Sequence, residues 1–434
     1  MSPEIVGIIG IVLMLALMAT GMWIGFAMGL VGFVGVWYLR GWEQALNMSG
    51  SIPYQNIAFY PISVLPMFVF MGLLVAQSGI GSDLYYAAHK FIGFIRGGLA
   101  SASVIACAML AAITGTTTTG IIVMAKVALP EMRKYKYDEG MAVGSIASAA
   151  TMGILIPPSV AFVMYGILTE QSIGTLFIAG IIPGILQGVF YVLVIYILCR
   201  INPKLGPAGP KSTFKEKMGS LKNVWAMVAL FLLVIGGIYG GIFTPTEAGA
   251  VGAFGSLIIA LVMRRLSFKG FMDSLSDTIV MTGMILFMLA GTFIFMYFMA
   301  LSRVPFAVGD WVVALNVPPW LVVAAIIVMY VILGGPLPEL PLVMLTIPIL
   351  FPVIQRLGLS PIWFGVIIVR MLEIGSISPP VGQNIFVMSG MTGVPISTVY
   401  RGVMPFILAD VVHVALLVAI PALSTYLPGL MVAR

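Results

Sequence analysis

Three polar segments interrupt an otherwise apolar sequence and could bind an ion or a small molecule. The first is a run of hydroxyls and a glycine from Thr114 to Thr119. The other two each hold a proline pair, within Gly153 to Ser159 and within Gly375 to Gly382. A helix breaks at such a pair, because proline lacks an amide hydrogen and clashes with the preceding turn. The break frees backbone carbonyls, and carbonyl and hydroxyl oxygens together suit a cation that has left its hydration shell.

The hydroxyl-rich tip and the first break together predict a cation site. Threonine and glycine also pack closely between membrane helices without binding anything, and this alternative stays open. The second tip, residues 334–341, is poorer in hydroxyls, although Ser376 and Ser378 lie in the neighbouring break. The sequence therefore defines the first site more sharply than the second.

One pair of opposite charges lies within an apolar span. Arg370 and Glu373 are three residues apart and share one helical face. They either neutralise each other or leave Arg370 free to bind a carboxylate substrate with its planar fork, and both interpretations stay open. Gln383 and Asn384 follow the second break, where they could bind substrate or satisfy the freed backbone.

The two breaks belong to an internal repeat. An offset of 222 residues takes the first break to the second and pairs further Gly and Pro residues without a gap. What repeats is the backbone plan, which is typical of a duplicated fold whose side chains have diverged. The paired positions are Gly153 with Gly375, Pro157 with Pro379, Pro158 with Pro380, Pro130 with Pro352, Gly180 with Gly402 and Pro183 with Pro405.

Composition identifies the class of protein. Of 434 residues, 61% are hydrophobic and only 8% are charged, with a mean hydropathy of +1.13. Too few charges exist to cover a soluble surface, so we predict an all-α polytopic membrane protein. His89 and His413 are far apart with no cysteine cluster nearby, so no metal enzyme and no organic cofactor is expected. The net charge of +6 fits the membrane orientation of the loops, and no nucleic acid is expected.

The apolar runs divide the chain into scaffold helices and two repeats. Residues 80–97 are too polar to span the bilayer and predict an interfacial helix. The segment Thr244 to Glu247 predicts an N-terminal capping box at the start of a span. We predict N-terminal scaffold helices in 1–60, a first repeat in 61–200 with a hairpin at 98–132 and a broken helix at 139–170, a basic loop at 201–222, connecting scaffold helices in 223–270, and a second repeat in 271–434 with a hairpin at 319–356, a broken helix at 360–392 and a last span at 402–427.

Charge predicts how these segments cross the membrane. In this layout fifteen Lys and Arg residues lie on one side and four on the other, namely Arg40, Arg303, Arg356 and Arg434. Positive loops stay in the cytoplasm, so the two hairpins enter from opposite faces and the repeats are inverted. Inverted repeats with broken helices are typical of secondary transporters, which bind their cargo near the bilayer midplane.

Three separated motifs resemble one family over essentially the whole chain. They are Gly241 to Ala248, Gly153 to Ser159 and Ser378 to Gly382. These stretches resemble the large membrane subunit of tripartite ATP-independent periplasmic (TRAP) transporters. The resemblance implies an elevator-type, sodium-coupled importer of small organic acids in the bacterial inner membrane. It also implies two partners, a small four-helix membrane subunit and a periplasmic solute-binding protein.

The resemblance further implies that both tips and both breaks hold sodium and substrate. The sodium ligands expected on this basis are Thr114, Gly115, Thr116, Gly153, Ile156, Pro157, Gly335, Ser376, Ser378 and Pro379. The substrate ligands expected are Thr117, Ser159, Arg370, Gln383 and Asn384. The chain departs from the family at the second tip, where many relatives have Gly-Met-x-Leu-Asp and this sequence has Gly334 to Pro341 with Glu339.

Other function classes fit the sequence less well. A channel would need a continuous polar pore, and an intramembrane hydrolase would need a catalytic pair, which neither histidine provides. A stand-alone anion/sodium symporter of similar inverted-repeat build remains the alternative. In either case we expect sodium to drive transport, since no proton relay is visible.

Overall fold

The computed structural model describes residues 1–222, 224–335, 337–379 and 381–432. Three residues named above, Pro336, Pro380 and Arg434, lie outside this part. The described residues form helices and no strand, which confirms the predicted all-α membrane class. Within the part of the chain that the structure describes, six helices are long and apolar enough to cross a membrane. The helices are α1 (Pro3–Ala19), α2 (Ile24–Arg40), α3 (Trp42–Ile57), α4 (Val64–Gln77), α5 (Ile80–Ile92), α6 (Gly98–Thr114), α7 (Thr117–Lys134), α8 (Glu139–Thr151), α9 (Val160–Thr169), α10 (Ile173–Ala179), α11 (Ile181–Ile201), α12 (Phe214–Leu221), α13 (Trp225–Phe231), α14 (Gly237–Tyr239), α15 (Pro245–Val262), α16 (Phe268–Ser302), α17 (Val304–Ala314), α18 (Pro319–Gly334), α19 (Glu339–Arg356), α20 (Pro361–Ile377), α21 (Gln383–Thr392), α22 (Ile396–Ala419) and α23 (Ala422–Val432).

The first repeat contains a helical hairpin and an interrupted helix. Helices α6 and α7 are the hairpin limbs, and they turn at Gly115, whose φ of +61° favours glycine. Helices α8 and α9 flank the first break at residues 152–159. The Asp138 side chain caps α8 and the Ser159 side chain caps α9, so both halves of the broken helix begin with a satisfied amide.

The second repeat has the same order of elements. Helices α18 and α19 are the limbs of its hairpin, and α20 and α21 flank the second break. The repeats then interlock, because α7 of the first packs against α21 of the second and α19 of the second packs against α9 of the first. Each hairpin therefore contacts the broken helix of the opposite repeat as well as its own.

Several connections differ from the sequence-based layout. The sequence predicts a polar connection between the span ending at about residue 40 and residue 60, whereas the structure has a helix there, α3, which packs against α2 and α16. The last span does not run through 402–427: α22 ends at Ala419, before Pro421, and α23 follows. The sequence predicts that the first of the connecting scaffold helices spans about 224–243, and in the structure a π-helical turn lies within this segment, between α13 and α14. Thr244 and Glu247 do form the predicted reciprocal capping box at the start of α15.

Candidate functional site

The first tip and the first break contact each other through two glycines. A Cβ atom placed on Gly153 would lie 2.6 Å from the Thr116 carbonyl oxygen, and one placed on Gly115 would lie 2.7 Å from the Pro158 carbonyl oxygen. Only glycine permits backbones to approach this closely. The tip carbonyl therefore faces the break, and the break carbonyl faces the tip. This arrangement brings together backbone oxygens from two segments that the sequence placed 40 residues apart.

The hydroxyls of this region have different partners. Thr114 is buried at the end of α6 and donates to the Leu110 carbonyl at 3.2 Å, and the Thr116 hydroxyl donates to the Thr119 hydroxyl at 2.9 Å. The Ser159 hydroxyl donates to the Ile154 carbonyl and accepts from the Phe162 amide, so it joins both sides of the break. Each of these hydroxyls donates its hydrogen and keeps an oxygen lone pair that could bind a cation.

Ile156 and Pro157 are two apolar residues of the first break. Ile156 lies against α11, because a Cβ on Gly184 would be 2.6 Å from the Ile156 Cγ1 atom. Pro157 is buried and is joined to Pro158 by a cis peptide bond. Their side chains are hydrocarbon, so the break can offer a ligand only its backbone carbonyls.

The second tip also contacts its own break through glycines. A Cβ on Gly334 would lie 2.9 Å from the Gly375 Cα atom, so α18 and α20 meet at backbone distance. Gly335 follows directly and is buried. Past the break, a Cβ on Gly382 would lie 3.1 Å from the Ser378 carbonyl oxygen and 3.2 Å from the Ser376 carbonyl oxygen. Two carbonyls therefore converge on one point of the second break.

Some of the polar side chains at the second break already have hydrogen-bond partners within the protein. The Ser376 hydroxyl donates to the Glu373 carbonyl at 2.7 Å and accepts from the Asn384 amide nitrogen at 3.1 Å. The Asn384 side chain is fully buried, and its amide oxygen has no hydrogen-bond partner among the described residues. Gln383 and Pro379 are exposed. Of the two amide residues, Asn384 is thus the one directed into the break.

The two hairpin tips meet at a single hydrogen bond. The Thr117 hydroxyl donates to the Glu339 carboxylate at 3.1 Å, and the two residues are 222 positions apart. Each is the first residue of the second limb of its hairpin. The contact therefore joins equivalent positions of the two repeats. Such a contact places these side chains at the repeat interface, where secondary transporters bind their cargo.

Arg370 lies in a buried charged cluster. Its guanidinium donates to the Glu373 and Asp410 carboxylates, and its Nε donates to the His413 Nδ1 atom at 3.1 Å. All four side chains are at most 1% exposed. Both ends of the guanidinium fork are thus occupied by carboxylates of the protein. Of the two interpretations left open by the sequence, the geometry favours charge pairing, and His413 has a partner that the sequence did not indicate.

This charged cluster continues as a chain of buried hydrogen bonds. The Tyr191 hydroxyl donates to Asp410 at 3.1 Å, and the Gln187 amide donates to Tyr191 at 3.1 Å and to the Thr151 hydroxyl at 3.2 Å. Thr151 is the last residue of α8, just before the first break. At the other end, the Glu373 carboxylate pairs with Arg370 while its main-chain carbonyl accepts from the Ser376 hydroxyl, so polar contacts extend from the first break to the second.

Sequence reasoning missed Glu339 and Asp410 as members of these sites. Glu339 could have been found from the repeat, because the 222-residue offset pairs it with Thr117. Asp410 lies on α22, 40 residues from Arg370, and no local pattern indicates their contact. Among the described residues, no three His, Cys, Asp or Glu side chains are grouped to hold a metal ion. Cys107 and Cys199 are free and buried.

Comparisons with known proteins identify the family and the fold. Residues 11–423 match the family model described as tripartite ATP-independent periplasmic transporter, DctM component. The chain is 35% identical over 378 residues to the C4-dicarboxylate TRAP transporter large permease protein DctM of Pseudomonas aeruginosa, covering 87% of this chain and 88% of that protein. It is 29% identical over 417 residues to the sialic acid TRAP transporter large permease protein SiaM of Vibrio cholerae, covering 96% and 97%. In fold it is similar to the YdaH transporter of Alcanivorax borkumensis, with a TM-score of 0.62 and 16% identity over 87% of this chain and 89% of that one.

Proposed function

The chain belongs to the DctM component family of tripartite ATP-independent periplasmic transporters, and from this premise we propose that it couples sodium entry to the uptake of a small organic acid. It is a large permease subunit in the bacterial inner membrane and not an enzyme. The family membership favours a tripartite transporter over the stand-alone symporter that the sequence left open. Its partners in this proposal are a small four-helix membrane subunit and a periplasmic solute-binding protein.

The meeting of the two tips at Thr117 and Glu339 is the observation that carries the proposal. Thr117 directly follows Thr116, whose carbonyl faces the first break, and Glu339 begins the limb that follows the second tip. Carbonyl and hydroxyl oxygens are neutral, and they suit a monovalent cation better than a divalent one, which demands more carboxylates. Sodium would bind to the tip and break oxygens of each repeat.

The substrate would bind between the tips. Glu339 brings a carboxylate to this space, which repels an organic acid unless a cation lies close by. Bound sodium would offset this repulsion, so that acid and cation bind better together than apart. This is the physical basis that we propose for coupling. In this scheme Arg370 holds the charged cluster together and does not contact the substrate.

Movement would follow an elevator scheme, in which the two hairpins and two broken helices move together. The interlocked packing of α7 on α21 and α19 on α9 supports movement as one body, because each hairpin packs against the broken helix of the opposite repeat. Relatives are named for C4-dicarboxylates and for sialic acid. Both are carboxylates, and we propose a substrate of this broad class.

Uptake into reconstituted vesicles tests the proposal. The complete transporter would be supplied with its binding protein, and carboxylates would first be screened by their ability to raise the melting temperature of that binding protein. We expect uptake of the selected acid only with an inward sodium gradient. Full uptake under a proton gradient in the absence of sodium would contradict sodium coupling. Uptake without any binding protein would instead support the stand-alone symporter.

A further inference from the structure

A short helix in the connection between the repeats carries an exposed apolar stripe. In α12 the residues Phe214, Met218 and Leu221 occupy positions i, i+4 and i+7, which share one helical face. Their exposed fractions are 76%, 41% and 41%. We refer to these three residues as the α12 stripe. No other segment of the described chain covers it, although an apolar face requires a partner.

Two residues of α12 outside the stripe hold the helix against α5 and the turn that follows α5. Glu216 forms an ion pair with Lys90 at 3.7 Å, and the Lys217 ammonium lies 5.8 and 5.1 Å from the ring centres of Phe91 and Phe94. Thr213 and Glu216 close a capping box, and the Thr213 amide and the Lys90 charge lower the pKa of Glu216 below its ordinary value. These contacts fix the rotation of α12 about its axis and hence the direction in which the stripe points.

Lysines border the stripe on both sides. At about 100° per residue, Lys215 and Lys222 lie on one side of it and Lys217 on the other. Lys215 and Lys222 are exposed. Residues 201–222 contain five lysines, Lys204, Lys211, Lys215, Lys217 and Lys222, against one acidic residue, Glu216. An apolar stripe between lysines is the pattern of a helix that lies in the headgroup region of an anionic bilayer.

We propose that α12 lies on the membrane surface, with the α12 stripe at the acyl-chain boundary and the exposed Lys215 and Lys222 beside it bound to anionic phospholipid headgroups. The position of α12 supports this arrangement. The apolar helix α13 begins at Trp225, four residues after α12 ends, and Trp225 is 48% exposed, as expected of an aromatic residue at the bilayer boundary. A neutral protein partner could cover the stripe but would not account for the lysines beside it.

The anchored segment also contacts the base of the first hairpin. The Gly97 amide donates to the Gly206 carbonyl and the Gly209 amide donates to the Gly93 carbonyl, each at 2.9 Å. Anionic lipid would therefore hold one end of a connection whose other end borders α6. The inference goes beyond the proposed function, because neither sodium nor substrate takes part in it.

Spin labels in reconstituted vesicles measure the depth of the stripe. Cys107 and Cys199 are first replaced by serine in the full-length chain, and single cysteines are introduced by Phe214→Cys, Met218→Cys and, as a control, Gly219→Cys. Gly219 is exposed and has open space around it, away from the stripe. In vesicles containing phosphatidylglycerol, the stripe labels should be several-fold more accessible to oxygen, relative to a water-soluble nickel complex, than the Gly219 label. Stripe labels shielded from both reagents, as a protein partner would produce, would overturn the proposal.

The charge requirement is tested by changing lipid and lysines. Replacing phosphatidylglycerol by phosphatidylcholine should lower the oxygen preference of the stripe labels, and high salt should do the same. Each lysine that binds an anionic headgroup should contribute on the order of a fivefold change in the affinity of α12 for the surface. The Lys215→Gln/Lys222→Gln variant should lose this lipid dependence. The control variant Lys136→Gln/Lys269→Gln removes the same charge from other exposed positions and should keep the lipid dependence. Equal depth of the stripe labels in both lipids and at both salt concentrations would refute headgroup binding, whatever the lysine variants show.

Discussion

Thr117 and Glu339 show how single side chains can act at the repeat interface. Their hydrogen bond joins the two tips and leaves the second oxygen of the carboxylate for another partner. Thr116, one residue earlier, donates within its own tip and directs its carbonyl toward Gly153. Neighbouring threonines therefore contribute in different ways, one through its contact with Glu339 and the other through oxygens facing the break.

Removing either hydroxyl should weaken cation binding. Thr116→Val and Thr117→Val keep the shape of the side chain but delete an oxygen, and the second also leaves Glu339 without its donor. Each variant should raise the sodium concentration for half-maximal uptake several-fold, which sodium titrations of transport would measure. The control is Thr278→Val, because Thr278 is buried in α16 and bonds only a carbonyl of its own helix. If all three variants match the parent, the cation site lies elsewhere.

Arg370 should prove necessary for stability. Arg370→Leu would leave Glu373 and Asp410 as two buried carboxylates without a cation, a loss of about 3–5 kcal/mol. Arg370→Lys keeps the charge but not the planar guanidinium, so its stability should lie between that of the parent and that of Arg370→Leu. Thermal unfolding in detergent would measure both. A variant with normal stability and a raised substrate concentration for half-maximal uptake would instead restore the substrate-binding interpretation.

The charged cluster shows how far residue patterns predict a site. The i, i+3 spacing of Arg370 and Glu373 was enough to suggest a pair, because a helix fixes the separation of such neighbours. Asp410 and Tyr191 could not be found in this way. They reach the cluster only because α22 and α11 pack against the broken helices, and that packing depends on contacts between distant parts of the chain.

At the scale of elements, glycines determine how tips and breaks meet. The Gly and Pro positions predicted where each hairpin turns and where each long helix stops, since those residues act on the local backbone. They did not predict that Gly153 would face the Thr116 carbonyl or that Gly334 would face Gly375. Hydropathy is continuous across residues 402–427 and predicts one span, whereas Pro421 separates α22 from α23.

A methyl group at Gly153 should separate the tip from the break. Its Cβ would lie 2.6 Å from the Thr116 carbonyl oxygen and 3.1 Å from the Ala150 carbonyl oxygen, and backbone atoms cannot yield as a flexible side chain can. Gly153→Ala should therefore abolish sodium-driven uptake and cost about 1–3 kcal/mol. Gly50→Ala is the matched control, because Gly50 lies in α3 with open space around it. Its helix should gain up to about 1 kcal/mol with uptake unchanged. Normal uptake by the Gly153 variant would show that tip and break need not touch.

At the scale of the whole molecule, the repeat accounts for the arrangement of the site. Elements one repeat apart have matching bounds, and the tips meet through residues 222 positions apart. The interlocking of α7 with α21 and α19 with α9 follows the same pairing. Duplication was visible in the Gly and Pro positions, whereas this interlocking depends on the three-dimensional packing of the two copies.

The orientation in the membrane follows from charge and can be measured with single cysteines. The fifteen-to-four division of Lys and Arg predicts that Ser212 and Ser267 lie on the cytoplasmic side and Val308 on the periplasmic side. Because Cys107 and Cys199 are buried, they should add little background to labelling. A membrane-impermeant maleimide should label Ser212→Cys and Ser267→Cys only in inside-out vesicles and Val308→Cys only in intact cells. Ser212 precedes α12 and Val308 lies in α17, between α16 and the second hairpin, so the three positions report on both repeats. Labelling of Ser212→Cys and Val308→Cys from the same side would contradict inverted repeats, since the two hairpins would then enter the bilayer from one face.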